Sequence, residues 1–226
     1  MIFSVRQKGN ERGFTLVELM IAVAVGGIVM AAVMTSFLSQ HRSYLAQDEV
    51  VEMQQNARVA MDMLTRDIRS AGFDPNNLGA GITTATPNNL IFTREDDLAA
   101  NGLETVNYSL FDAFTFTVPP SNDGLVDDLA LQVTSALGAS AGRQVVAENI
   151  EQLEFRYLDE DGNVTANLAD IRAIQISILA VARNPDQNFT NTMTYTTASG
   201  AVWDPVDDNL RRRLLITTVQ CRNLGL

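Results

Sequence analysis

Hydrophobic and polar positions divide this chain into three textures. Residues 14–38 are almost wholly apolar, FTLVELMIAVAVGGIVMAAVMTSFL. As a helix these 25 residues reach about 37 Å at roughly 1.5 Å per residue. A bilayer core of about 30 Å is spanned with length to spare. Over residues 39–71 the apolar positions thin to a seam. Val50, Met53, Ala57, Met61, Leu64, Ile68 and Ala71 recur at spacings of three and four, as on one face of an amphipathic helix. The other face is assigned Asp48, Glu49, Glu52, Arg58, Asp62, Arg66, Asp67 and Arg69, with Asp62 and Arg66 in the favoured acid-first order. No proline precedes Pro75, so nothing stops the helix early. One helix is predicted from about Phe14 to Ala71, half in lipid and half packed on a globular head, with Gly72 as its C-cap.

After Pro75 the period changes. Residues 90–93, 105–109 and 113–118 are rich in aromatic and β-branched side chains. Residues 128–134 alternate, with Leu129, Leu131 and Val133 on one face. Leu153, Phe155 and Tyr157 alternate into Asp159-Glu160-Asp161-Gly162, a turn signal. Ile174, Ile176, Ile178 and Ala180 form a further alternating run, and a last strand is expected over residues 211–219. One long helix followed by antiparallel strands predicts an α+β fold.

Composition adds limits. The 226 residues suffice for one domain plus an anchor. A net charge of -11 argues against nucleic acid as a partner, since phosphate binding needs clustered Lys and Arg. The dense basic run Arg211, Arg212, Arg213 is expected on a solvated strand or turn. Cys221 is the single cysteine, which excludes an intrachain disulfide. It is expected reduced and half-buried near the end of a strand. Residues 1–13, MIFSVRQKGNERG, carry Arg6, Lys8 and Arg12 against Glu11. These charges place the N-terminal end in the cytoplasm and the rest of the chain beyond the inner membrane. The apolar stretch is too long for an ordinary secretory signal.

Residues suited to chemistry are sparse. His41 is the only histidine, which excludes His-based triads and His-rich metal sites in the head. No Gly-rich phosphate loop joins a strand to a helix. Asp96 with Asp97, Asp127 with Asp128, and Asp207 with Asp208 are expected on solvated loops. Asp159, Asp161 and Asn163 alternate as in calcium loops, but Asp170 stands where an EF-hand needs its final Glu. A plain hairpin turn is the preferred reading there. Asn107, Asn163 and Asn188 each open a glycan acceptor pattern of a length that often arises by chance. No catalytic residue, metal or cofactor is predicted.

One carboxylate interrupts the apolar run. Glu18 in a membrane helix costs on the order of 3 kcal/mol and usually marks a function. Were the chain cut between Gly13 and Phe14, the new α-amine would lie about one helical turn from Glu18. The two can pair within one chain or between chains, where the pair would set axial register. The residues equally allow Glu18 to snorkel at the interface alone.

The run Arg12-Gly13-Phe14-Thr15-Leu16-Val17-Glu18 resembles the processing motif of type IV prepilins. The resemblance implies that a prepilin peptidase cuts after Gly13 and methylates Phe14, and that Glu18 neutralises a neighbouring subunit's N-terminal amine. Many major pilins have a proline in the membrane half of this helix; this chain has Gly26 and Gly27 instead. Residues 54–62, 65–73, 153–159 and 212–223 resemble PilW-type minor pilins and, more weakly, the J pseudopilin of type II secretion. Residues 79–142 carry no resemblance. The family implies a pilin-like α+β architecture: a cleaved leader (1–13), a transmembrane half-helix (14–38), an amphipathic half-helix (39–72) and a β-rich head (73–226). It further implies a non-enzymatic subunit of the inner membrane with its head in the periplasm, and later of the pilus at the cell surface. Expected partners are other minor pilins, the major pilin, a tip adhesin, the assembly platform and membrane lipid. The rival readings are a J-type pseudopilin and a single-pass membrane enzyme or sensor with a fortuitous leader.

Overall fold

A computed structural model describes residues 13–95, 102–111, 128–135, 138, 140–204 and 207–225. The strand expected at 113–118 and the acids Asp96, Asp97 and Asp127 lie outside the described residues. Helix α1 runs Leu16–Ser70, 55 residues without interruption, and passes through Gly26 and Gly27. Gly72, at φ 74°, closes its C-terminus, a left-handed conformation that glycine adopts at little cost. The chain falls into two compact units that meet between Gln47 and Asp48. The first contains the N-terminal part of α1, with an apolar stretch long enough to cross a membrane, none of it buried.

The second unit holds the rest of α1 and, among the described residues, all the strands. These are β1 Ile82–Thr86, β2 Asn89–Glu95, β3 Leu103–Phe111, β4 Asp128–Thr134, β5 Ser140–Ala147, β6 Ile150–Leu158, β7 Ala173–Val181, β8 Tyr195–Thr196, β9 Val202–Trp203 and β10 Arg212–Gln220. Strands β1 to β5 form one sheet in chain order, β10-β7-β6 a second, and β8-β9 a two-stranded hairpin, antiparallel throughout. This bears out the α+β reading. Met53, Ala57, Ala60, Leu64 and Ile68 of α1 share one apolar core with Phe92, Val106, Tyr108, Phe155, Ile174, Ile176 and Ile178. The register explains the alternation in the second sheet: Leu153, Phe155 and Tyr157 face Ile178, Ile176 and Ile174. Hydrogen bonds from β6 join the sheets. The Phe155 amide donates to the Pro87 carbonyl at 2.7 Å, and the Tyr157 hydroxyl donates to the Thr86 carbonyl at 2.8 Å.

Several side chains depart from the expected pattern. Asp67, assigned to the polar face, is buried at 8% exposure. It accepts a 2.7 Å hydrogen bond from the Tyr108 hydroxyl and lies 3.5 Å from Arg94, which also pairs with Glu104. Asp62 and Arg66 do not join among the ion pairs of the described residues. Asp128 is buried at the start of β4 rather than solvated on a loop. Cys221 is fully buried and free, directly after β10, and burial pushes its thiol up to about 12.

Candidate functional site

The N-terminal end of α1 gathers the residues singled out in the sequence. Gly13 and Phe14 precede the helix, and Phe14 is 91% exposed. An added side chain at Gly13 would meet nothing within 4 Å. The segment is open to a partner approaching the 13–14 peptide bond. Glu18 lies in the first turn of the helix. Its Oε2 accepts from the Thr15 amide at 3.0 Å and from the Thr15 hydroxyl at 3.1 Å, while the Glu18 amide donates back to Thr15 Oγ1 at 3.2 Å. This reciprocal arrangement is a capping box, which satisfies donors that a helix start leaves orphaned. Thr15 was not foreseen as a partner. Its signal was present in the sequence as Thr15-Leu16-Val17-Glu18, the threonine-x-x-glutamate spacing of such a box.

The cap gives the carboxylate inside the apolar stretch local partners. Glu18 neither floats alone nor needs a charge from its own chain to be hydrogen-bonded. Both local donors converge on Oε2, and Oε1 has no hydrogen-bond partner among the described residues. From Leu16 onward Val17, Leu19, Met20, Ile21 and Val23 are each more than half exposed. A protein surface this apolar needs lipid or other helices around it.

The head's ionisable groups are mostly tied into structure. The central arginine of the basic run is not solvated: Arg212 has a side chain only 4% exposed and pairs with Glu151 and with Asp208 at 2.7 Å. Arg211 pairs with Asp186 at 2.8 Å and lies over the Phe189 ring. Only Arg213 matches the solvated expectation. The donating guanidinium groups hold the Asp186 and Asp208 carboxyls below their ordinary range. In the 159–163 segment the Asp159 carboxylate accepts from the Asn163 amide at 2.8 Å, and Gly162 takes φ 82°. That is the geometry of a tight turn closed by its own side chain.

Comparison with known proteins bears on both ends of the chain. The family model of the prokaryotic N-terminal methylation motif matches residues 8–34. That of the type IV pilus-assembly protein W family, PilW, matches residues 115–223. The chain carries a prepilin methylation motif and a PilW domain. Proteins of this kind are structural subunits rather than enzymes, anchored in the membrane by the apolar N-terminal helix. The type IV-like pilin of Thermus thermophilus shares the fold at a TM-score of 0.53 and 13% identity, over 76% of this chain and 98% of that one. No curated protein matches the chain. Likeness to the pilins implies processing by a prepilin peptidase and interaction with other pilins.

Proposed function

We propose that this PilW-like chain is made as a precursor cut between Gly13 and Phe14, methylated on Phe14, and used as a minor pilin in the complex that primes pilus assembly at the filament tip. What carries the reading is the co-occurrence on one chain of a methylation-motif match at 8–34 and a PilW match at 115–223. The open, pre-helical Gly13-Phe14 segment suits a peptidase, which must hold an extended peptide. Cleavage converts the Phe14 amide nitrogen into a charged amine. Glu18 then presents Oε1 to the amine of a neighbouring subunit while Oε2 keeps its cap on Thr15. In a low-dielectric surround such a pair is worth far more than in water.

On this reading the apolar flank of α1 leaves lipid, drawn out through the inner-membrane assembly platform, and packs against the helices of neighbouring subunits. The head acts in the periplasm and later at the cell surface, joined to other minor pilins, the major pilin and a tip adhesin. Two measurements test this. Mass spectrometry of the mature chain should find methylated Phe14 at the N-terminus; an uncut Met1 terminus would favour a membrane enzyme or sensor. Glu18→Ala should be cleaved normally yet enter filaments at least about tenfold less than wild type, the order expected for a lost charge pair. Normal entry would overturn the intersubunit role of Glu18.

A further inference from the structure

At the C-terminal end of α1 a surface groove of about 680 Å³ is lined by Asp62, Thr65, Arg66, Arg69, Ser70, Phe73, Arg222 and Asn223. Its charge is unusual for this molecule. The chain has 27 acidic against 16 basic side chains, yet here three arginines face one carboxylate. None of Arg66, Arg69 and Arg222 joins an ion pair among the described residues. All three are exposed, as is Phe73 at 45%.

The fold builds this convergence from two distant segments. Arg66 and Arg69 stand three apart on α1 and share a face. Arg222 is carried in by the segment after β10, which is fixed on either side. The Cys221 amide donates to the Arg172 carbonyl at 2.8 Å, and Asn223 Nδ2 donates to the Arg69 carbonyl at 3.0 Å. Leu224 fills the space over Gly72, where an added Cβ would stand 2.3 Å from Leu224 Cδ2. Folding thus assembles like charges that repel one another, and Asp62, the one acid of the lining, stands in no ion pair with them among the described residues. An anionic partner would relieve the repulsion.

We propose that this groove docks an acidic segment of a partner protein, whose carboxylates Arg66, Arg69 and Arg222 receive. The lining favours a peptide over a phosphate group. Guanidinium groups match carboxylates bidentately. Thr65 offers a neutral hydroxyl, Asp62 can accept a peptide amide but repels a dianion, and Phe73 offers an apolar wall to a side chain between the acids. The inference concerns the head alone and does not depend on the cleavage or on the role of Glu18.

The test uses the full chain in neutral detergent and a fluorescein-labelled peptide of alternating glutamate and leucine, read by fluorescence anisotropy at low salt. Wild type should bind, and binding should weaken as salt rises. The double variant R66E/R222E should bind about tenfold or more weakly, whereas R213E, which reverses an exposed arginine elsewhere, should bind as wild type does. R222Q should melt at or above the wild-type temperature and bind several-fold more weakly. The proposal is overturned if R213E and R66E/R222E lose affinity equally. It also fails if inorganic phosphate or phosphatidylglycerol vesicles displace the peptide at its own concentration, or if R222Q unfolds the head, which would make the arginine structural.

Discussion

Asp67 sits one residue before Ile68 on the seam of α1, close enough to the apolar stripe that the helix turns it inward. Tyr108 and Arg94 reach it from β3 and β2. A buried carboxylate is tolerated only with such partners. Replacing it should therefore cost more than its polar character suggests. Asp67→Ala leaves the Tyr108 hydroxyl unpaired and removes one of two acids from Arg94. The expected loss is about 2 kcal/mol, measured by urea denaturation of the full chain in detergent. Asp67→Asn keeps an oxygen for Tyr108 and should lose about half as much. A neutral result for Asp67→Ala would mean that water replaces the carboxylate. Gly72 makes a second residue-scale case. Its positive φ strains any side chain, which would also press on Leu224, so Gly72→Ala should destabilise by about 1–3 kcal/mol, visible as a lower melting temperature.

At the scale of elements, β10 shows that neighbours in sequence can hold unrelated duties. Arg212 is buried between Glu151 and Asp208, and Arg213 is exposed. Arg212→Met should cost about 2–3 kcal/mol, because two carboxylates are then left facing each other. Arg213→Met should change stability by no more than about 0.5 kcal/mol. Equal effects from the two would refute the clasp. The contrast also marks where sequence reading ends. Helix α1, β4, β6 and β7 were legible because a period of 3.6 or 2 runs through each, and β2 and β3 because they are rich in aromatic and β-branched side chains. Strand β1, ITTAT, and strand β5, SAGRQVVA, were not. Short polar or small-residue strands owe their state to partners in the sheet rather than to their own pattern. The residues of the proposed N-terminal site, Gly13, Phe14 and Glu18, stand out in the sequence, but the cap on Thr15 was overlooked. The burial of Asp67, Asp128 and Arg212 was hidden, since periodicity says which face a residue is on and nothing of the partners brought by distant strands.

For the whole molecule the charges set a range of pH. Asp186 and Asp208 titrate below their ordinary value of 3.8 because Arg211 and Arg212 donate to them. A depressed carboxylate contributes stability above that value and loses it as pH falls through the folded one. Tyr108, Tyr157 and Cys221 are raised by burial from ordinary values of 10.0, 10.0 and 9.0. Their contribution is present below those values and lost as pH rises past them. The melting temperature should thus be level between about pH 5 and 8, fall below about pH 4, and fall again above about pH 9. A profile flat across both limits would contradict the assigned partners.

The tail that folds back on α1 also sets an order of events during synthesis. The bond from Asn223 to Arg69 spans 154 positions, and β10 is the last strand of the chain. Because the ribosome delivers the helix first, its seam of Met53, Ala57, Leu64 and Ile68 must wait for the strands that follow, from β2 and β3 to β6 and β7, to complete its core. Contacts of such long range form slowly. During the wait the nascent chain displays an unfinished greasy surface, which exposes that helix to aggregation until the strands arrive.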